Sequence, residues 1–331
     1  MNKSQVQAEE QKAIELEESG NETAALDIWL RLAQAMPMAA FYCRAGGVLK
    51  TLKRYSEAES AFRSACNLDP RMALASIGLA SMLIEEDKCA EAVDALDAVV
   101  AQEENALAYG LRGDALIGLK RYEEALQSFR KAVALDPRYE EAFYNIGWLL
   151  RNSDEAEAES AFTKAIELES DYASAHRELG WIFRKAKQLD RAERHLRRAT
   201  VLNPADAWAW VYLGNLLWGK GEFSAAEDAI KQAYEQSPNE WYTNWELASF
   251  YEDCGNQEKA ARFYHRALLA SSDEPVLLFS YGRFLLKQGD FEGAEKYFRR
   301  AREVEPGYEN PRQWLREVAG ANAERQHTRD H

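Results

Sequence analysis

Apolar and polar residues along this chain follow two helical rhythms that succeed each other in a constant order. In the first, large apolar or small residues stand at i, i+3, i+4 and i+7, as in Tyr109, Arg112, Gly113 and Leu116, or Trp210, Leu213, Gly214 and Leu217. That spacing is one face of an α-helix. Arg112 stands where an aliphatic residue is expected. In the second rhythm Ala, a bulky residue and Ala recur at i, i+4 and i+7: Ala58/Phe62/Ala65, Ala125/Phe129/Ala132, Ala192/Leu196/Ala199, Ala260/Tyr264/Ala267 and Ala294/Phe298/Ala301. A short turn such as Lys220-Gly221-Glu222 or Gln288-Gly289-Asp290 lies between the two helices.

The pair of helices returns about every 34 residues, a period that marks a stacked repeat. Residues 109–137 read YGLRGDALIGLKRYEEALQSFRKAVALDP, and 210–238 return as WVYLGNLLWGKGEFSAAEDAIKQAYEQSP. Nine units follow: 6–38, 39–72, 73–106, 107–139, 140–172, 173–206, 207–240, 241–274 and 275–308. Pro37, Pro70, Pro137, Pro204, Pro238 and Pro306 close six of them, because proline cannot continue a helix. Glu104, Ser170 and Ser272 take that place in the others, and the fifth unit is one residue short in its turn near 152–155. A small residue recurs at one point of each first helix from the second unit on: Gly46, Ala80, Gly113, Gly147, Gly180, Gly214, Ala248 and Gly282. Glycine inside a helix costs about 1 kcal/mol against alanine, so its recurrence implies that another helix comes close there. Two helices cannot bury such faces alone, whereas stacked neighbours can.

These residues closely resemble the tetratricopeptide repeat (TPR) family over residues 6–308. The resemblance implies an all-α, right-handed superhelical solenoid of about nine helix–turn–helix units. First helices would line a concave inner face and second helices the outside. Residues 1–5 are then an N-terminal extension and 309–319 a capping helix carrying Trp314 and Leu315. A terminal repeat needs such a cover. Residues 320–331 read as a disordered tail.

Composition narrows the function. At 47% hydrophobic and 11% aromatic residues, the array is an ordered protein. A net charge of −14 disfavours nucleic acid and anionic membranes as partners. The first 20 residues hold no signal-peptide core, and no apolar run of about 18 residues exists to cross a membrane. Cys43, Cys66, Cys89 and Cys254 are scattered, which suggests reduced thiols in a cytoplasmic protein rather than disulfides or a metal site. His327 and His331 lie in the tail, and His176, His195 and His265 fall on separate helices without a ligand-like partner at i+4. No hydrolase or phosphate-binding motif appears. Neither an enzyme nor a cofactor is expected.

Tryptophan carries the sharper signal. Trp29 and Trp210 fit packing positions, whereas Trp148, Trp181, Trp208, Trp218 and Trp245 lie off the packing stripe. They fall at unit positions that form a second helical stripe, with Tyr144, Tyr242 and Phe279 on it and Tyr212 alongside. In the resembled family that stripe faces the groove. Arg151, Arg177, Arg184, Lys185, Asn145 and Asn215 accompany it. Rings offer area, arginine binds carboxylates and an amide both donates to and accepts from a peptide backbone. The expected ligand is a peptide or helical segment of a protein with apolar or aromatic and acidic residues. The competing account is that these rings fill gaps between adjacent repeats.

A second candidate surface is the outer helix of the sixth unit, where Arg191, Arg194, Arg197 and Arg198 make a basic patch. Ion pairing with Glu193 and neighbouring units explains it as a solvated face. Docking of an acidic partner, as in a regulatory or assembly subunit of an enzyme complex, is the functional alternative. The acidic first unit could equally support head-to-tail contact between copies, so a homo-oligomer stays open. Chaperone adaptors of this family clamp a carboxylate with Lys and Asn on the inner stripe. Here the first two units offer Glu10, Ile14 and Glu17, then Cys43, Gly47 and Lys50, so that clamp is not evident.

Overall fold

A computed structural model describes residues 2–307 and Trp314. Every regular element among them is a helix, and the chain divides into two units, Met1–Ser170 and Asp171–His331. The first holds α1 (Lys3–Glu18), α2 (Glu22–Ala35), α3 (Ala39–Thr51), α4 (Tyr55–Leu68), α5 (Ala73–Glu85), α6 (Cys89–Val100), α7 (Ala106–Gly118), α8 (Tyr122–Leu135), α9 (Glu140–Leu150) and α10 (Glu155–Leu168). The second holds α11 (Ala173–Lys185), α12 (Leu189–Leu202), α13 (Ala207–Gly219), α14 (Phe223–Gln236), α15 (Trp241–Asp253), α16 (Gln257–Ala270), α17 (Pro275–Lys287) and α18 (Phe291–Val304). Odd and even helices pair as hairpins, and the fold is an all-α repeat solenoid. The first helix begins at Lys3, inside the stretch 1–5 expected to precede the array. The expected cap at 309–319, apart from Trp314, and the expected tail at 320–331 lie outside the described residues.

Inside each pair, the small residue of the first helix receives the bulky residue of the second. A Cβ at Gly113 would fall 2.5 Å from the Phe129 ring, one at Gly147 2.8 Å from Phe162, and one at Gly180 2.5 Å from Leu196. Gly214 meets Ile230 at 2.6 Å and Gly282 meets Phe298 at 2.6 Å in the same way. No real side chain tolerates such distances, so the glycines are required by close approach. Where alanine stands instead, at Ala80 and Ala248, the paired residues Leu96 and Tyr264 are still buried.

Arg112, the polar residue in an apolar stripe, has its charge answered within the fold. Its Nε lies 2.5 Å from Asp97 Oδ1 on α6, and its Nη1 donates to Ser128 Oγ of α8 at 2.7 Å. Arg112 thus forms a satisfied polar link between α6, α7 and α8.

The hairpin turns share a left-handed residue that lets the chain leave one helix and enter the next. Glycine takes it at Gly20, Gly221, Gly255 and Gly289, whereas Lys53, Asp87, Lys120 and Lys187 adopt it with φ of 58–60°. Around Lys120 the C-terminal wrap of α7 is complete: Lys120 N donates to Ile117 O and Arg121 N to Leu116 O, both at 2.9 Å. The fifth turn has no positive-φ residue among those described. There Ser153 N and Asp154 N both donate to Leu150 O, so the residue absent from that unit is the left-handed one. Between units, Asp69 and Asp136 accept backbone N–H bonds from Arg71 and Arg138 at 3.0 and 2.9 Å, which fixes the Asp-Pro turns.

The glycines divide by what surrounds them. A Cβ at Gly47 would meet nothing within 4 Å. Gly47→Ala is therefore expected to stabilise the protein by up to about 1 kcal/mol through helix propensity alone. Gly113→Ala forces Phe129, which is 0% exposed, to move. Overpacking of about 1–3 kcal/mol outweighs the propensity gain, leaving a net loss of about 1 kcal/mol. Urea midpoints of the two variants should move in opposite directions. Equal shifts would refute the close-approach account.

Candidate protein-binding face

In the second unit α11, α13 and α15 lie next to one another, and the off-stripe aromatic residues emerge from their shared face. Trp208 and Tyr242 stack with ring centres 4.4 Å apart and planes 7° from parallel. Tyr212 leans on Trp208 at 5.6 Å, Trp241 meets Tyr242 edge-on at 6.2 Å, and Trp245 follows Trp241 at 6.2 Å. Five rings thus form one connected run across α13 and α15. All five are half-buried, unlike Trp29, which is 2% exposed in the core. Trp241 was not expected there, since it occupies the first position of its helix. Its place becomes visible only once Tyr242 and Trp245 are seen to flank it.

Cations sit on these rings. The Arg184 guanidinium lies 6.0 Å from the Tyr212 ring centre, and Lys185 Nζ lies 5.3 Å from that of Trp181. Arg184 Nε and Trp245 Nε1 are both buried donors that find no acceptor among the described residues. Beneath them, Asn215 Nδ2 donates to Glu246 Oε2 at 3.1 Å. Burial pushes the Glu246 carboxyl up, against the Asn215 hydrogen bond and the Arg184 charge, which pull it down.

Several expected contributors are engaged otherwise. Arg177, expected to bind a partner's carboxylate, already holds two of its own: Asp206 Oδ2 at 2.6 Å and Glu178 Oε1 at 2.8 Å. Trp218 lies against Phe223 at 4.5 Å and Phe250 at 5.2 Å, so its ring joins α13 to α14 and α15. Phe279 is a correction to the expected stripe. It is 8% exposed and packs on Phe298 and Trp314, because the last pair closes its core there. The gap-filling account therefore holds for Phe279 and much of Trp218.

The first unit carries a separate, smaller part of the stripe on α9. Trp148 is half-buried with the Arg151 guanidinium 5.4 Å from its ring centre, and Tyr122 meets its edge at 6.3 Å. Tyr144 leans inward on buried Phe162 at 5.6 Å. Asn145 Nδ2 donates to Asp114 Oδ1 of α7 at 3.1 Å. Both expected backbone-binding amides, Asn145 and Asn215, thus spend a donor on a carboxyl of the adjacent first helix. Asp114 was not anticipated. Burial, reinforced by the Glu141 charge, pushes its carboxyl up to about 7.

The basic patch on α12 is largely neutralised. Arg197 pairs with Glu193 at 2.8 Å and Arg198 with Asp171 at 2.5 Å. The Arg191 guanidinium covers the Phe183 ring at 3.7 Å, while Arg194 is exposed. His176 and His195, on the two helices of one repeat, meet with Nδ1 atoms 2.9 Å apart. Burial first, then His176, Arg191 and Arg194, lowers His195 to about 4. No group of three or more His, Cys, Asp or Glu placed to hold a metal occurs among the described residues. Nor is any described helix long and apolar enough to cross a membrane. All four cysteines are free thiols.

Comparison with known proteins agrees with this architecture. Tetratricopeptide repeat family models match residues 39–72, 149–207, 182–241, 211–275 and 253–311, and a TPR repeat model matches 113–150. The matches span well over half of the chain, which belongs to the tetratricopeptide repeat family. None of these is a catalytic family. Superkiller protein 3 of Schizosaccharomyces pombe is 26% identical over 116 residues, 35% of this chain but 8% of that protein. The chain thus spans only a small part of that curated relative. Among solved structures, the APC/C hetero-tetramer Cut9-Hcn1 aligns with a TM-score of 0.63 at 16% identity over 89% of this chain and 58% of the other. The Pseudomonas aeruginosa pilF protein aligns with a TM-score of 0.59 at 22% identity over 65% of this chain and 97% of its own. These likenesses establish the fold.

Asp114 gives the first unit a pH signature. Its folded pKa of about 7 lies above the unfolded value of 3.8, so the folded state holds the proton more tightly. The associated stability is complete below the unfolded value and is lost as pH rises through about 7. Asp114→Asn removes the charge that is costly above that point. The variant's gain over the parent should be on the order of 2 kcal/mol larger at pH 8 than at pH 5. Thermal melts of both proteins at the two pH values test this. The opposite dependence contributed by His195 is common to both proteins and cancels in the difference. A variant effect independent of pH would disprove the assignment.

Proposed function

We propose that this chain is a protein-binding scaffold that takes a peptide or helical segment of a partner on the inner face of α11, α13 and α15. The half-exposed ring run Tyr212–Trp208–Tyr242–Trp241–Trp245 carries the reading. TPR arrays serve as interaction scaffolds, and a contiguous aromatic patch on a protein surface is the usual mark of a partner site. Arg184 and Lys185, seated over Tyr212 and Trp181, supply charge for acidic residues flanking the partner's apolar ones. Trp148, Tyr144, Asn145 and Arg151 offer contacts of the same kind in the first unit. The partner is a protein rather than nucleic acid, given the net charge of −14, and the setting is cytoplasmic, in keeping with four unpaired cysteines.

The test is affinity capture from native lysate with the intact chain and a Trp208→Ala/Tyr242→Ala variant, both verified as folded by circular dichroism. A protein held by the intact chain should bind the variant at least about tenfold more weakly, because aromatic anchors at an interface centre are worth more than 1 kcal/mol each. Identical retention by both would reduce the rings to packing.

A further inference from the structure

The first unit carries one groove three times. Cavities of about 620 and 640 Å³ lie where the pairs α7–α8 and α9–α10 meet the second helix of the pair before them. Val100 of α6 lines the one and Val133 of α8 the other, each from that preceding helix. The rest of the lining sits at fixed positions around the bulky residue of the second helix: Gln127, Ser128 and Lys131 around Phe129, then Ser160, Ala161 and Lys164 around Phe162. A third cavity, of about 690 Å³, belongs to α1 and α2. Asp27, Ile28 and Arg31 hold the same positions around Trp29, and Lys12 precedes Ala13 as Arg112 precedes Gly113. Its lining comes from these two helices alone, so the side that Val100 or Val133 closes elsewhere is open. A groove built to stack on another helix pair is a ready interface for one from a second molecule.

Its chemistry points to a copy of itself. The floor is apolar: Ile28 is 3% exposed, with half-buried Leu16 and Leu30 beside it. Charges of both signs surround it. Glu9 on α1 and Arg31 on α2 already pair at 3.1 Å. Lys12 on α1 and Asp27 on α2 are exposed and have no ion pair among the described residues. One unanswered cation on one helix and one unanswered anion on the other make a face complementary to its own image. A two-fold axis running along the helices sets α1 of one molecule against α2 of the other, so that each Lys12 meets the Asp27 of the other copy. A face of one sign would repel its copy instead. The acidic Glu17 and Glu22 line the separate cavity shared with α3 and stay out of this contact.

We propose that the α1–α2 face is a self-association surface through which two copies of this chain pair about a two-fold axis, with Lys12 against Asp27 twice over. The contact does not use the aromatic face and holds whether or not that reading fails. A dimer carries two aromatic faces, and a partner with two binding segments gains from engaging both.

The test is sedimentation of the full chain over a range of about 1–100 µM, with charge-reversed variants. The parent should pass from monomer to dimer across that range. Lys12→Glu and Asp27→Lys each set like charges against one another and should weaken the dimer at least about tenfold. Both positions are exposed, and circular dichroism will verify that the helices are retained. Mixed in equal amounts, the two variants should form a heterodimer, because each then meets opposite charges. The double variant Lys12→Glu/Asp27→Lys should regain the dimer of the parent, and Trp208→Ala/Tyr242→Ala should never lose it. A parent that stays monomeric throughout would overturn the inference. Single variants that dimerise as tightly as the parent, or a mixture that stays monomeric, would do the same. A dimer lost only on Trp208→Ala/Tyr242→Ala would move self-association to the aromatic face and refute this one.

Discussion

The structure depends on the seating of one bulky side chain against one residue without a side chain, repeated in pair after pair. Phe129 on Gly113 and Phe298 on Gly282 bring two helix backbones closer than any larger residue would allow. Dispersion contacts are individually weak, and they accumulate only at such distances. Alanines around the bulky residue, such as Ala125 and Ala132, complete the seat and are fully buried. Because each pair buries only part of its apolar surface, the next pair must cover the rest, and the core runs on as a repeat.

That economy of packing leaves the remaining faces unconstrained. Second helices of successive pairs are joined by Arg63–Glu91 and Arg130–Glu157, and Arg300 of α18 reaches Asp273 in the connection before α17. All are well exposed, and exposed pairs of this kind contribute little each, about 0–1 kcal/mol. They steer solubility and register more than they hold the fold. The more buried polar links, Arg112 with Asp97 and Ser128 and Arg177 with Glu178 and Asp206, are of another kind. There a missing partner would leave a charge stranded in a poorly solvated place.

On the first helices the same backbone presents different chemistry in different places: small and aliphatic on α3 and α5, and aromatic with cations seated on rings on α11, α13 and α15. Asp114 and Glu246 are carboxyls kept at these faces by amide donors although burial opposes their charge. Features with an energetic cost and no role in packing are where a repeat scaffold most often keeps its function.

The sequence by itself determined the repeat, its period, the helix-pair unit and the residues that make the core. Those depend on local periodicity and on contacts within one unit, such as Gly180 with Leu196, which recur and so can be read by counting. It also marked the ring stripe as distinct from the packing stripe. Only the tertiary structure decided what each inner residue does, because those contacts join residues about 30 positions apart. Trp208 on Tyr242, Asn215 on Glu246 and Asn145 on Asp114 are such pairs, and nothing in the local pattern at either member specifies the other. For the same reason Phe279 reads as a stripe residue but is core, and Arg177 reads as an anchor but is already engaged.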